Sequence, residues 1–267
     1  MMRKLLILKL TSTGFRARDL ENNEIFSVKT STSGLDPELN TVRFSVDKEW
    51  TFKKNKYLSG EVTESTFILE NIDVPGHEYT VEGLWDPRGS FGDEAEELFP
   101  DYLAEGLREE YMFKNYSGYG FYEDGEDPFS DAIEAPTGKK RYDILAKLWE
   151  DYPECIDALV HIGESYMESS GDWLQNALNC FITSIHIAEK NLPKDFDGVM
   201  LWECLENRPY LRALHGLCLT YWRMKEFDKA QKTARKMLRI CPGDNIGVRF
   251  IIDPIAEHQE WREEDWG

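Results

Sequence analysis

The sequence predicts an α+β protein with three parts. Residues 1–85 read as a small antiparallel β-barrel or sandwich, 86–138 as an acidic, aromatic-rich connecting segment, and 139–267 as an array of helical hairpins. Two observations carry this division. The hydrophobic period is close to two in the first part and close to 3.6 in the last. Between them, residues 86–138 hold 15 acidic and only 3 basic residues, so this stretch supplies −12 of the total charge of −19.

In the first part, short runs rich in β-branched and aromatic residues fall at 4–10, 15–20, 24–30, 41–46, 50–53, 57–62 and 66–69. The breaks between them, ENNE, SGLDPELN, KNK and Ser59-Gly60, are polar or carry Gly. Runs of this length and spacing are strands. Val42, Phe44 and Val46 alternate with Arg43, Ser45 and Asp47, which gives one wet face and an antiparallel sheet. Trp50 and Phe52 share one side of their strand and are expected in the core.

In the middle part a helix is expected over 94–113, with Leu98, Tyr102, Leu103, Leu107 and Tyr111 on one side. Phe99, Tyr111, Phe113, Tyr116, Tyr119, Phe121, Tyr122 and Phe129 are too many aromatics for a solvated linker, so much of the segment should pack against its neighbours. The stretch EDGEDPFSDAIE (123–134) closes with Glu at its twelfth position, as calcium loops do. It has Gly125 where such a loop needs an oxygen ligand and Pro128 where it needs Gly, so a solvated acidic loop is expected.

The last part is helical. Tyr142, Leu145, Leu148 and Trp149 form one stripe that ends at Tyr152-Pro153. Leu159, Ile162, Gly163 and Tyr166, then Ala177, Phe181 and Ile185, form a hairpin across the break SSGDW. The clearest hairpin lies in 207–249. Leu211, Leu214, Leu217, Cys218 and Tyr221 make its first stripe, and Phe227, Ala230, Ala234, Met237, Leu238 and Ile240 its second. Pro209 suits a first helical turn, Pro242-Gly243 stops the second helix, and Asp244 or Asn245 can cap a final helix with Val248, Ile251 and Ile252. The acidic tail HQEWREEDWG is expected to fray.

The insertion 193–207 between the hairpins (PKDFDGVMLWECLEN) offers Asp195, Asp197, Trp202, Glu203, Glu206 and Asn207, followed by Arg208. Phe196, Val199, Leu201 and Trp202 are expected to plug the gap between hairpins while Asn207 caps the next helix.

The order Leu214, Leu217, Tyr221, Ala230, Pro242 resembles the tetratricopeptide repeat (TPR), with Leu214 at the usual Trp position, Cys218 at the usual Gly position and Ala234 at the usual Phe position. The resemblance covers roughly residues 142–252. It implies a TPR-like α-helical array, a groove that takes other chains, and a scaffold function. The whole arrangement is also similar to a group of cytosolic bacterial TPR proteins that bring no activity with them. On the first helix of the 207–249 hairpin, the family's groove side is the side of Arg212, His215, Leu219 and Trp222. Arg208, Asp197 and Trp202 join them as candidate partner-binding residues. A cation beside an aromatic suits an acidic peptide segment, from a partner or from the chain itself, and 207–249 carries ten basic against three acidic residues.

Other functions fit less well. No G-x-S-x-G, H-E-x-x-H, Walker or Rossmann fingerprint occurs, and the five histidines form no ligand pair at helical spacing, so neither enzymatic activity nor a cofactor or metal is expected. A net charge of −19 opposes binding of a phosphate backbone by the protein as a whole. The alternative, a nucleic-acid-associated protein using the β domain, would draw on Trp50, Phe52, Lys53, Lys54, Lys56 and Tyr57. The five cysteines include no C-x-x-C pair and are expected as reduced thiols. The opening MMRKLLILKL is too short for a secretory core or a membrane span, so a soluble cytoplasmic protein is expected.

Overall fold

The computed structural model describes residues 1–30, 36–114, 128–136, 138–169 and 173–262. Strands β1 (Met2–Thr11), β2 (Gly14–Asp19), β3 (Ile25–Thr30), β4 (Asn40–Phe52) and β5 (Asn55–Phe67) close into a barrel in the order β1-β2-β3-β5-β4. All its ladders are antiparallel except β3 with β5, which is parallel and closes the barrel. The runs expected at 41–46 and 50–53 are one continuous strand, and those at 57–62 and 66–69 merge largely into the next.

The interior is filled by Leu5, Ile7, Phe15, Ala17, Phe26, Val28, Val42, Phe44 and Leu58. Val42 and Phe44 point inward while Arg43 is exposed, as their alternation requires. Trp50 and Phe52 correct the expectation of a core position, since Trp50 is half-buried and Phe52 is 61% exposed. The cause is a slip of one residue between Val46 and Lys48, where two residues of β4 oppose one of β5. Past the slip, inward Leu58 faces Glu49, and Trp50 pairs outward with Tyr57. Gly60 sits at this slip with φ 158°, and a Cβ there would lie 1.9 Å from the Ser45 carbonyl oxygen.

Strand β6 (Tyr79–Trp85) pairs with β7 (Arg108–Phe113) in a separate two-stranded sheet. Short helices α1 (Pro87–Phe91), α2 (Ala95–Leu98) and α3 (Pro100–Glu105) lie between them. The single helix expected over 94–113 is thus broken. Pro100 begins a new helix, Gly106 at φ 97° ends it, and the following residues alternate Tyr111 and Phe113 into the core as a strand. β6 and β7 lie on either side of the boundary drawn at residue 85.

Helices α4 (Pro128–Ile133), α5 (Gly138–Asp151), α6 (Ile156–Glu168), α7 (Leu174–Glu189), α8 (Arg208–Arg223), α9 (Phe227–Ile240) and α10 (Arg249–Ala256) pack each on the next. α6 also packs on α8 across α7. Phe181 of α7 is the wedge of this stack. A Cβ added at Gly163 of α6 would lie 2.9 Å from its ring, and one added at Gly216 of α8 only 2.3 Å. Ala230 and Ala234 are fully buried against α8, and the Cys218 thiol reaches the Ala230 carbonyl at 3.4 Å. Asp244 caps α10, its carboxylate accepting from the backbone N–H of Val248 and Arg249 at 2.7 and 2.9 Å.

The insertion 193–207 does fill the gap between hairpins, by backbone pairing. Val199 exchanges hydrogen bonds with Glu109 and Tyr111 of β7, both 2.8 Å, and the Met200 N–H donates to Ile240. Asn207 does not cap α8. Its buried side chain accepts from the Phe113 N–H at 3.1 Å and donates to the carbonyls of Tyr111 and Leu201, which ties β7 to the start of α8.

The barrel keeps its own interior, and the outer side of β1 joins the core of the helices. Leu5 and Ile7 of β1 face the barrel interior, whereas Leu6 and Leu8 join the helical cluster with Leu39, Ile72 and Val74. Around this contact Arg16 holds Glu150 through two hydrogen bonds of 2.5 and 2.6 Å, and Asn179 donates to the Glu38 carbonyl at 2.7 Å. Among the described residues no helix is long and apolar enough to cross a membrane.

Candidate functional site

The seven candidate partner-binding residues fall in three places. Arg208 and Trp202 form one pair, with the guanidinium 5.1 Å from the indole centroid and its Nε donating to the Trp202 carbonyl at 2.8 Å. Asp197 lies elsewhere, held by both Nε and Nη2 of Arg239 at 2.5 and 2.7 Å. These hydrogen bonds keep its carboxyl below the usual carboxylate range. Both sets are committed to contacts within the chain.

Arg212, His215, Leu219 and Trp222 follow one side of α8 at intervals of three and four residues. At its N-terminal end Arg212 Nη2 meets the buried carboxylate of Asp157 on α6 at 2.6 Å. His161 of α6 lies beside the same carboxylate at 3.9 Å and bonds Glu164 at 2.9 Å. Burial pushes His215 below the ordinary histidine range, with nearby Glu164 and Asp244 acting in the opposite direction. Phe129 of α4, from the acidic segment, is buried with its ring centroid 4.8 Å from that of His161. Part of that segment therefore packs on the helices, as its aromatic content predicted. Residues 115–127, which include the first five of the acidic loop expected at 123–134, lie outside the described residues; residues 128–133 of that stretch are not a solvated loop but helix α4, with Phe129 and Ala132 buried.

At the other end of this side Trp222 is only 3% exposed, because residues 257–262 return across it. The Trp222 indole N–H donates to the Gln259 carbonyl at 2.7 Å, and Trp261 meets the Trp222 ring edge to face at 5.2 Å. Arg223 lies 5.8 Å from the Trp261 centroid, Lys225 pairs with Glu260 at 2.6 Å, and His258 stacks on Phe227. The tail expected to fray is thus docked through Trp261, and an acidic, aromatic peptide occupies the surface of Trp222, Arg223 and Lys225. Sequence reasoning missed Gln259, Glu260 and Trp261. A Trp in an acidic tail is the same signal that marked residues 86–138 for packing, and it was present here too.

Of the ten basic residues in 207–249, those on α9 are also largely engaged. Lys229 pairs with Glu226, Lys236 with Glu189, and Arg239 with Asp197 and Glu105. A separate concavity of about 1020 Å³ lies between the end of β1 and helices α5 and α6, with Tyr142, Tyr166 and Trp173 among its walls. Behind two of its lining residues, the buried Glu38 accepts from the Tyr142 hydroxyl and from the Leu10 N–H, the latter at 2.7 Å. Burial raises the Glu38 carboxyl above the usual carboxylate range. Cys155, Cys180, Cys218 and Cys241 are buried free thiols, and Cys204 is half-buried. Among the described residues no group of three His, Cys, Asp or Glu side chains is placed to hold a metal ion.

No family model, curated protein or solved structure matches this chain.

Proposed function

We propose that this chain is a non-enzymatic protein-interaction adaptor whose α8 surface around Trp222 takes an acidic, aromatic peptide segment, and that its own C-terminal residues hold this place until a partner displaces them. The observation that carries the reading is the seating of residues 257–262. An indole packs on Trp222, a carboxylate meets Lys225, and a backbone carbonyl accepts from the Trp222 N–H. These are the three contacts that an acidic peptide from another protein would make on the same surface. A tethered segment competes at an effective concentration of roughly millimolar, so a partner must bind more tightly than the tail or arrive with a second contact.

The test removes residues 259–267 and adds the peptide QEWREEDWG in trans, labelled for fluorescence anisotropy. The truncated chain is expected to bind it, the intact chain to bind it far more weakly, and a peptide carrying Trp261→Ala to bind neither. If a truncated chain that keeps its circular dichroism spectrum and cooperative melting ignores the peptide, the reading fails.

A further inference from the structure

The outer surface of the barrel carries an arrangement that the helical site does not use. Because of the register slip at Val46–Lys48, the side chains of Lys48, Trp50 and Phe52 turn outward on β4. Cross-strand pairing places them in rows. Lys48, Ser59 and Lys29 lie opposite one another on β4, β5 and β3, and Trp50, Tyr57 and Ser27 form the next row. Trp50 and Tyr57 stack with centroids 5.3 Å apart and planes 10° from parallel. The ammonium groups of Lys29 and Lys48 lie 5.9 and 5.6 Å from the Trp50 centroid, and that of Lys53 lies 5.7 Å from Phe52.

Of the carboxylates nearby, Glu49 pairs with Arg3 and Glu24 with Lys56, while Asp47 and Glu61 are exposed and form no ion pair among the described residues. Lys29, Lys48, Lys53 and Lys54 are exposed and have no carboxylate partner among the described residues. In a protein of net charge −19, a cluster of four unneutralised lysines around three aromatics is a local reversal of sign. An exposed Phe at a hairpin tip contributes nothing to the barrel core, and an indole–phenol stack ringed by ammonium groups matches a chain of flat bases joined by phosphates.

We infer that this face of β3, β4 and β5 binds single-stranded nucleic acid, with bases stacking on Trp50, Tyr57 and Phe52 and phosphates neutralised by Lys29, Lys48, Lys53 and Lys54. The aromatics select a single strand, since paired bases present no free faces.

The experiment uses the full chain and fluorescein-labelled oligo-dT and oligo-rU of about 12 nucleotides, a length within the usual site sizes. Anisotropy is read from about 25 mM salt upward, where log K is expected to fall with log[salt] by about 0.7 per phosphate neutralised. Trp50→Ala is expected to weaken binding by about 5- to 150-fold, the usual effect of losing one stacked base. Lys29→Ala with Lys48→Ala, both exposed and harmless to the core, is expected to flatten the salt slope by about 1.4. Absence of binding to both oligonucleotides at low salt overturns the inference, as does binding that neither variant changes. Equal competition by a poly-glutamate peptide of the same charge also overturns it and assigns the face to an acidic protein. All three results are independent of the Trp222 surface, which the truncation tests separately.

Discussion

The wedge of Phe181 between α6 and α8 makes a quantitative prediction for Gly216→Ala. In an exposed helix this change would stabilise by about 1 kcal/mol, because Ala is the better helix former. Here the new methyl would lie 2.3 Å from Phe181 Cζ, well inside van der Waals contact, with Phe181 itself fully buried. Overpacking of this kind costs about 1–3 kcal/mol, and so severe a clash belongs in the upper half of that range. The net expectation is a loss of about 1–2 kcal/mol, or roughly 2–8 °C in melting temperature for a chain of this size. Phe181→Leu alone should cost about 1–2 kcal/mol through lost burial and a residual cavity. In the double variant the Ala methyl moves into the vacated space, so its loss should fall short of the sum by about 1–2 kcal/mol. Urea unfolding followed by circular dichroism gives all four corners of the cycle. Additivity within about 0.5 kcal/mol would mean that Phe181 and Gly216 do not touch, and the packing of α7 against α8 would have to be redrawn.

Three further outcomes are expected. Buried His77 bonds the Glu154 carbonyl through Nε2 at 2.9 Å, and burial lowers its pKa to about 4. Its contribution is therefore complete above about pH 6.5 and is lost as pH falls through 4, a total of order 3 kcal/mol, and His77→Gln should flatten the acid limb of a stability–pH curve. Glu38 has the opposite sign: its raised pKa means that the folded state holds the extra proton, so its contribution declines as pH rises through the folded value. Glu38→Gln keeps an acceptor for the Leu10 N–H without the buried charge, and should raise the melting temperature at neutral pH more than at pH 4. Ala230→Leu places a longer side chain against Cys218 and should destabilise by about 1–3 kcal/mol in thermal melts, and an unchanged melting temperature would contradict the α8–α9 packing.

How far the sequence could be read depended on whether the deciding interaction was local. Alternation at Val42–Val46 placed Val42 and Phe44 correctly, since period two is a local property of one strand. The same alternation misplaced Trp50 because one extra residue at the slip inverts every later side chain, and only Gly60, on the opposite strand, marks it. Parallel pairing of β3 with β5 skips a strand, so no turn signal between neighbours could announce it. Around α8, the TPR resemblance grouped Arg212, His215, Leu219 and Trp222, and their three- and four-residue spacing does bring them to one side of the helix. Neither could show that Asp157, 55 residues away, neutralises Arg212, or that the tail returns over Trp222. Asn207 looked like a helix cap from its place before Pro209, but long-range backbone groups of β7 claimed its amide.

The two-faced burial of β1 has a consequence for biosynthesis. All five barrel strands are contained in the first 67 residues, so the barrel can close while most of the chain is still unmade. Its outward Leu6 and Leu8 then wait for helices that end near residue 189, and at about 5–20 residues per second that interval is roughly 6–24 s on the ribosome. During it the nascent chain displays a leucine face that the finished protein buries completely, which makes this the stage at which a chaperone has most to cover and at which a polar substitution of Leu6 would aid solubility while spoiling the final assembly.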